Sequence, residues 1–378
     1  MQNDKTMNRR SDAAETLFFT LLKAGLHPAY MPGTDCGADE AVWQEVYRTA
    51  VRQGVAGIVW DGLQRLDAAG AVPPDKALPR MLKLQWALVV EQIAERYGKQ
   101  RRIIARLAAF YHSHGLAMMG LKGYGLSLCY PHPEHRPCGD IDIWLFGRQQ
   151  EADDLLRREW RTPIDTEVHH HTTFTIDGIL VENHFDFLNV HAHTSNREIE
   201  TLLQRYAQEP GPEVDIDGTP LRLPSANFNA LFLLRHAASH FAAREIGMRH
   251  VVDWAMFIER DPAGIDWTML RQTARRMNMH RFLSCLNAIA IDYLGTDPAK
   301  IPAFERDPAL ELRVKNDILQ PEFSETQPSG GLLRIVWFRT RRWWTNRWKH
   351  RIVYREGLLQ TFLVQLRSHL MKPRSIAH

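Results

Sequence analysis

The sequence predicts an α+β fold: a small mixed β-sheet core embedded in a predominantly α-helical chain. Three observations carry this. Up to about residue 114, apolar side chains recur at three- and four-residue spacing, the period of an amphipathic helix. Between residues 115 and 224 short alternating runs take over, and two pairs of them are joined by Asp177-Gly178 and Asp217-Gly218. Asp-Gly between alternating runs is a strong signal for a two-residue hairpin turn. From Ser225 onward the helical spacing returns.

Four regions follow: a helical region over 1–114, an α/β core over 115–224, a second helical region over 225–320, and a basic aromatic helical tail over 332–378. The stretch 320–331, with two prolines and two glycines, reads as the linker before the tail. A first helix is expected over 11–30, closed by Gly25 and broken at Pro28. Helical spacing from Val42 is interrupted at 54–57, where two glycines stand. After Pro73, Pro74 and Pro79 comes a long helix over 80–114, carrying Trp86, Val90, Ile104, Leu107 and Tyr111 on its apolar positions. Gly115 ends it, and 116–121 has the length of a strand.

Residues 120–146 organise the rest. Lys122-Gly123 reads as a strand-to-helix turn, 124–130 as a brief helix stopped by Pro131 and Pro133, and 140–146 as a strand. His132, Glu134, His135 and Arg136 lie on the loop between them. Alternate side chains of a strand share a face, so Asp140 and Asp142 point together while Ile141 and Ile143 point into packing. Paired carboxylates repel and raise each other's pKa unless a cation or donors sit between them. A hard divalent ion with oxygen ligands, Mg²⁺ above all, suits such a pair. A helix follows over 148–160.

In the first hairpin, the run after the turn places Glu182, His184 and Asp186 on one face and Val181, Asn183, Phe185 and Phe187 on the other. Its polar face is positioned to lie beside the aspartate pair. The triplet His169, His170, His171 alternates faces, and without cysteine partners it does not suggest structural zinc. Ser225 is the expected N-cap of the helix after the second hairpin.

Composition narrows the class. With 44% apolar, 24% charged and 10% aromatic residues, the chain can bury a large core and is neither disordered nor membrane-like. The N-terminal apolar stretch is short and interrupted by Lys23, so neither a signal peptide nor a transmembrane segment is expected. The four cysteines form no Cys-x-x-Cys pair, which argues against a disulfide framework and fits a reducing, cytoplasmic setting. Net charge is only +3, yet from Leu332 onward eleven lysines or arginines face one acid, Glu356. Trp337, Trp343, Trp344 and Trp348 interleave with them. That mixture suits nucleic acid or an anionic surface; an amphipathic helical pair with its aromatics packed on the body is the plainer reading, and the favoured one.

The order Leu-Lys-Gly, short helix, Tyr-Pro, Arg, Gly-Asp-Ile-Asp-Ile, His-rich strand and Val-Glu-x-His resembles the uncharacterised nucleotidyltransferase-like family of the polymerase-beta-like superfamily. The segment 248–258 is similar to the family's downstream helix, with its Asp at Asp253. The resemblance implies that Asp140 and Asp142 bind catalytic Mg²⁺, with Glu182 as third carboxylate and Asp186 as its rival. It implies phosphate or substrate contacts from Lys122, Gly123, Arg136 and His184, with His184 alternatively orienting a carboxylate. The implied reaction moves a nucleoside monophosphate from a nucleoside triphosphate to an acceptor hydroxyl by two-metal chemistry. A catalytically silent nucleotide-binding or scaffold protein with the same fold is the alternative.

Overall fold

The structure is a computed structural model that describes residues 2–168, 170–243, 245–323, 332–358 and 360–361. The chain begins with α1 (Gln2–Leu26), α2 (Glu40–Arg52) and α3 (Ala56–Ala68). Asp39 caps α2, its carboxylate accepting from the Val42 N–H at 2.9 Å. The expected interruption is real: Gly54 turns left-handed at φ +68° between α2 and α3. The first helices cross at a pair of glycines. A Cβ on Gly62 would stand 1.9 Å from the Leu21 carbonyl oxygen, and one on Gly25 2.0 Å from that of Ile58. Only glycine lets these two backbones approach so closely.

Next come α4 (Arg80–Ser113), β1 (Met119–Gly120), α5 (Lys122–Ser127), β2 (Ile141–Trp144), α6 (Gln149–Leu155), β3 (His171–Ile176), β4 (Ile179–His184), α7 (Thr194–Tyr206), β5 (Glu213–Ile216) and β6 (Thr219–Arg222). The six strands form one mixed sheet in the order β3-β4-β2-β1-β6-β5. The β2–β4 and β1–β6 pairs are parallel and the other neighbours antiparallel. Both hairpins turn as the Asp-Gly signal requires: Asp177 and Gly178 have φ of +50° and +76°, Asp217 and Gly218 +53° and +83°.

The sheet has two different faces. Ile141, Ile143, Val181, Phe174 and Leu221 pack with Ile104, Leu107 and Tyr111 of α4 and with Leu155 of α6. On the opposite face, Met119 and Trp144 join the large helical core. Asp142 and Glu182 alternate onto this second face, between the sheet and the helices that follow.

Those helices are α8 (Ala226–Ala243), α9 (Met248–Arg260), α10 (Trp267–Arg276), α11 (His280–Ile289), α12 (Pro308–Leu319), α13 (Leu332–Thr345) and α14 (Arg347–Val353). Ser225 caps α8 as expected, its hydroxyl accepting from the Phe228 N–H at 3.2 Å. No helix among the described residues is long and apolar enough to cross a membrane.

Several elements differ from the sequence expectation. The first helix begins earlier, and the strand expected over 140–146 is paired only over β2, with Asp140 just before it. The chain after Glu182 does not keep its alternation to residue 188. Pairing ends at His184, and the N–H groups of both Phe185 and Asp186 donate to the His170 carbonyl, each at 3.1 Å. Phe187 is thereby carried to the Trp144 face, where it packs on Trp144 at 5.2 Å and Phe228 at 4.7 Å between ring centroids.

The tail divides. α14 is part of the body: Lys349 and Asp317 pair at 2.5 Å in full burial, and Trp348 lies under the Arg313 guanidinium at 4.0 Å. α13 leaves Trp337 and Trp344 largely exposed, at 70% and 60% of their surface. Most of the expected linker (324–331) and the end of the tail (362–378) lie outside the described residues, as does His169.

Candidate active site

Parallel pairing of β2 with β4 sets Asp142 opposite Glu182, both on the helical face. Asp140 projects from the residue before β2. One oxygen from each of Asp140, Asp142 and Glu182 lies within 4.8 Å of the others. The expected aspartate pair and the expected third carboxylate are therefore brought together. Asp186, the rival, lies beyond the end of β4 and outside this group.

Asp142 is at the centre. It is 3% exposed, and its Oδ1 accepts from Lys122 Nζ at 2.8 Å and from His184 Nε2 at 3.0 Å. Its Oδ2 is buried with no hydrogen-bond partner among the described residues. Burial alone would raise this carboxyl, but the Lys122 ammonium, and then His184, hold it well below the usual carboxylate range. Asp140 is pushed the other way, by burial first and then by the Asp142 charge. Burial would lower His184, yet its hydrogen bonds to Asp142 and then Glu182 bring it up to about 9. His171, facing His184 across the β3–β4 ladder, is lowered by burial to about 4, with Glu182 opposing.

Lys122 opens α5 directly after β1, and the backbone breaks there: Gly123 takes φ +22° and ψ −101°. A side chain is strained in that conformation, although an added Cβ would meet the Asp140 carbonyl oxygen at an ordinary 3.6 Å. The turn is braced from behind by Arg136. Its Nη1 donates to the Gly123 carbonyl at 3.1 Å and to Cys138 Sγ at 2.9 Å, while Nε and Nη2 grip Asp253 at 2.7 and 2.9 Å. Tyr130 donates to the same Asp253 oxygen at 2.6 Å. Burial would lower Arg136, but Asp253 holds it well above its ordinary value. The residue expected at the phosphates thus has all three guanidinium nitrogens engaged by protein.

These groups open onto a cleft of about 680 Å³ between the sheet and α8 and α9, with His236, His240 and His250 on its far wall. Sequence reading left this wall unnoticed, although His236 and His240 stand four apart and share a helix face. It also stopped short on His171. Counting outward from the Asp177-Gly178 turn pairs residue 176 with 179 and so 171 with 184.

A family described as uncharacterised nucleotidyltransferase matches residues 39–295. No curated protein matches the chain. Among solved structures, an antigenic nucleotidyltransferase-like protein from Paracoccidioides brasiliensis shares 16% identity, covering 54% of this chain and 96% of its own, at a TM-score of 0.35. The antibiotic-resistance factor ANT(2'')-Ia shares 14% identity over 50% of this chain and 95% of its own, at 0.34. The family match spans well over half of the sequence and contains the Lys122-Gly123 turn, the aspartate pair, Glu182 and both walls of the cleft, so the chain belongs to the uncharacterised nucleotidyltransferase family.

Proposed function

We propose that this nucleotidyltransferase is Mg²⁺-dependent and moves a nucleoside monophosphate from a nucleoside triphosphate to an acceptor hydroxyl. The observation that carries this is the convergence of Asp140, Asp142 and Glu182 at the cleft, with a buried Asp142 oxygen that no donor among the described residues satisfies. A buried carboxylate oxygen without a partner is costly, and a cation beside it removes that cost. An all-oxygen donor set is what a hard ion takes, so these residues fit Mg²⁺. Bound there, Mg²⁺ would supply Lewis acidity at the reacting phosphate and lower the pKa of the acceptor hydroxyl.

The protein's own groups divide the remaining work. His184 and Lys122 hold Asp142 ionised and oriented. Lys122, with its side chain 19% exposed, is placed to turn from Asp142 towards a phosphate as a point charge. Gly123 lets the backbone come close to that phosphate, and Arg136 acts from inside by fixing the turn. The acceptor oxygen bonds to the α-phosphorus as the bond to the β-phosphate bridging oxygen breaks and pyrophosphate leaves. Glu182 is placed to take the acceptor's proton.

One observation favours a second reading, a silent nucleotide-binding or scaffold protein. The Lys122 ammonium 2.8 Å from Asp142 already neutralises the buried carboxylate. Calorimetric titration with each nucleoside triphosphate, with and without Mg²⁺, followed by a pyrophosphate-release assay, separates the two. Mg²⁺-dependent release that Asp140→Asn and Asp142→Asn abolish, in variants that still unfold cooperatively, is the expected outcome. Binding without release across nucleotides and acceptors, or release that survives both substitutions, would remove the catalytic reading.

A further inference from the structure

We propose that His171, Glu182 and His184 form a nitrogen-and-oxygen site for a divalent transition metal, with Mn²⁺ and Zn²⁺ the best-suited ions. It adjoins the all-oxygen site of Asp140, Asp142 and Glu182 and rests on reading this cleft as metal-binding. The two sites share Glu182, so the cleft offers one hard position and one borderline position rather than two alike.

The spacing of donor atoms is the first support. Glu182 Oε2 lies 3.6 Å from His171 Nδ1 and 3.5 Å from His184 Nε2, and one donor atom of each residue lies within 4.8 Å of the others. Nitrogen and oxygen donors bound tetrahedrally at about 2.0–2.2 Å from zinc stand roughly 3.3–3.6 Å apart. The imidazoles of His171 and His184 meet edge to face, 5.1 Å between centroids and 67° between planes.

Unsatisfied atoms are the second support. His171 Nδ1 and Asp142 Oδ2 are both buried and have no hydrogen-bond partner among the described residues. Ions ligated by Glu182 would satisfy the first atom in this site and the second in the neighbouring all-oxygen site. The third support is the outer contact of His184. Its Nδ1 lies 3.1 Å from the Asp186 carbonyl, which can only accept, so Nδ1 keeps its proton and Nε2, on giving up the proton it donates to Asp142, is the ligand atom. A backbone carbonyl holding the far ring nitrogen is the usual companion of a metal-ligating histidine. Imidazole donors favour transition metals over Mg²⁺, and no cysteine is needed where histidine and carboxylate supply the set.

The test uses the full chain without nucleotide, so it stands apart from transfer activity. Mn²⁺ is titrated in and the bound ion examined by electron spin-echo spectroscopy. Nitrogen modulation is expected from the ¹⁴N protein, altered when histidine is supplied as ¹⁵N. His171→Gln and His184→Gln are each expected to reduce the modulation and weaken Mn²⁺ binding by about tenfold or more. The isotope experiment needs no variant, so it holds even if one substitution unfolds the chain. Bound Mn²⁺ without nitrogen modulation, modulation unchanged in both variants, or no Mn²⁺ bound would overturn the proposal. Nitrogen-ligated Mn²⁺ in a protein that releases no pyrophosphate would uphold it while removing the catalytic reading.

Discussion

Replacing Arg136 by Met tests how the Gly123 turn is held. The Arg136 and Asp253 side chains are 5% and 9% exposed, and the guanidinium meets both carboxylate oxygens, at 2.7 and 2.9 Å. Arg136→Met leaves Asp253 buried with the Tyr130 hydroxyl as its remaining side-chain donor. Breaking a buried pair from one side costs about 3–5 kcal/mol, because a charge is left without compensation. With an unfolding entropy of roughly 2.1 cal/mol/K for each residue, that loss lowers the melting temperature of a chain this size by about 4–6 °C. Burial opposes ionisation of Asp253, but Arg136 outweighs it and holds the carboxyl below its ordinary value. The pair's contribution is therefore present above the unfolded pKa of about 3.9 and lost as pH falls through the lower folded value. Calorimetric melting and a double-mutant cycle with Asp253→Leu measure the pair. The double variant should recover much of the loss, since two apolar side chains leave no orphaned charge. A melting temperature within about 1 °C of wild type for Arg136→Met, or strict additivity in the cycle, would refute the reasoning.

Other substitutions follow from the same physics. Asp142→Asn should drop His184 from about 9 to below its ordinary 6.5, because burial then outweighs what remains of its acidic partners; an NMR pH titration of the metal-free protein reads this. In wild type, His184 is raised on folding, so its contribution to stability is full below about pH 6.5 and fades as pH rises through about 9; His184→Gln should flatten that part of the stability profile. Lys349→Met should cost about 3–5 kcal/mol by stranding Asp317, with partial recovery in the double variant carrying Asp317→Leu, measured by urea unfolding. Gly62→Ala should destabilise by about 1–3 kcal/mol or more, because its Cβ would meet the Leu21 backbone. Gly98→Ala, whose Cβ meets only the end of Arg102 at 3.6 Å, should stabilise by about 0.5–1 kcal/mol; equal signs for these two glycine variants in thermal melts would contradict the crossing geometry.

Local chemistry was legible in the sequence wherever one short stretch sets the outcome. Asp-Gly at 177–178 and 217–218 dictated both hairpins, because aspartate and glycine tolerate the positive φ that such turns demand. Alternation from Asp140 to Ile143 separated carboxylates from core, and helical spacing over 80–114 marked α4. What only the tertiary structure decided is what those groups meet. The parallel pairing of β2 with β4 set Glu182 rather than Asp186 opposite Asp142, and the break after His184 moved Phe187 to the other face. Arg136 lies in the loop that reads as phosphate-binding, yet it is committed to Asp253, 117 residues later. Strand register and helix docking bring together residues far apart in the chain, and a charge takes whichever buried partner is nearest in space. Residue type and spacing determine what each side chain can do; long-range packing determines which of those capacities remains free to face the cleft.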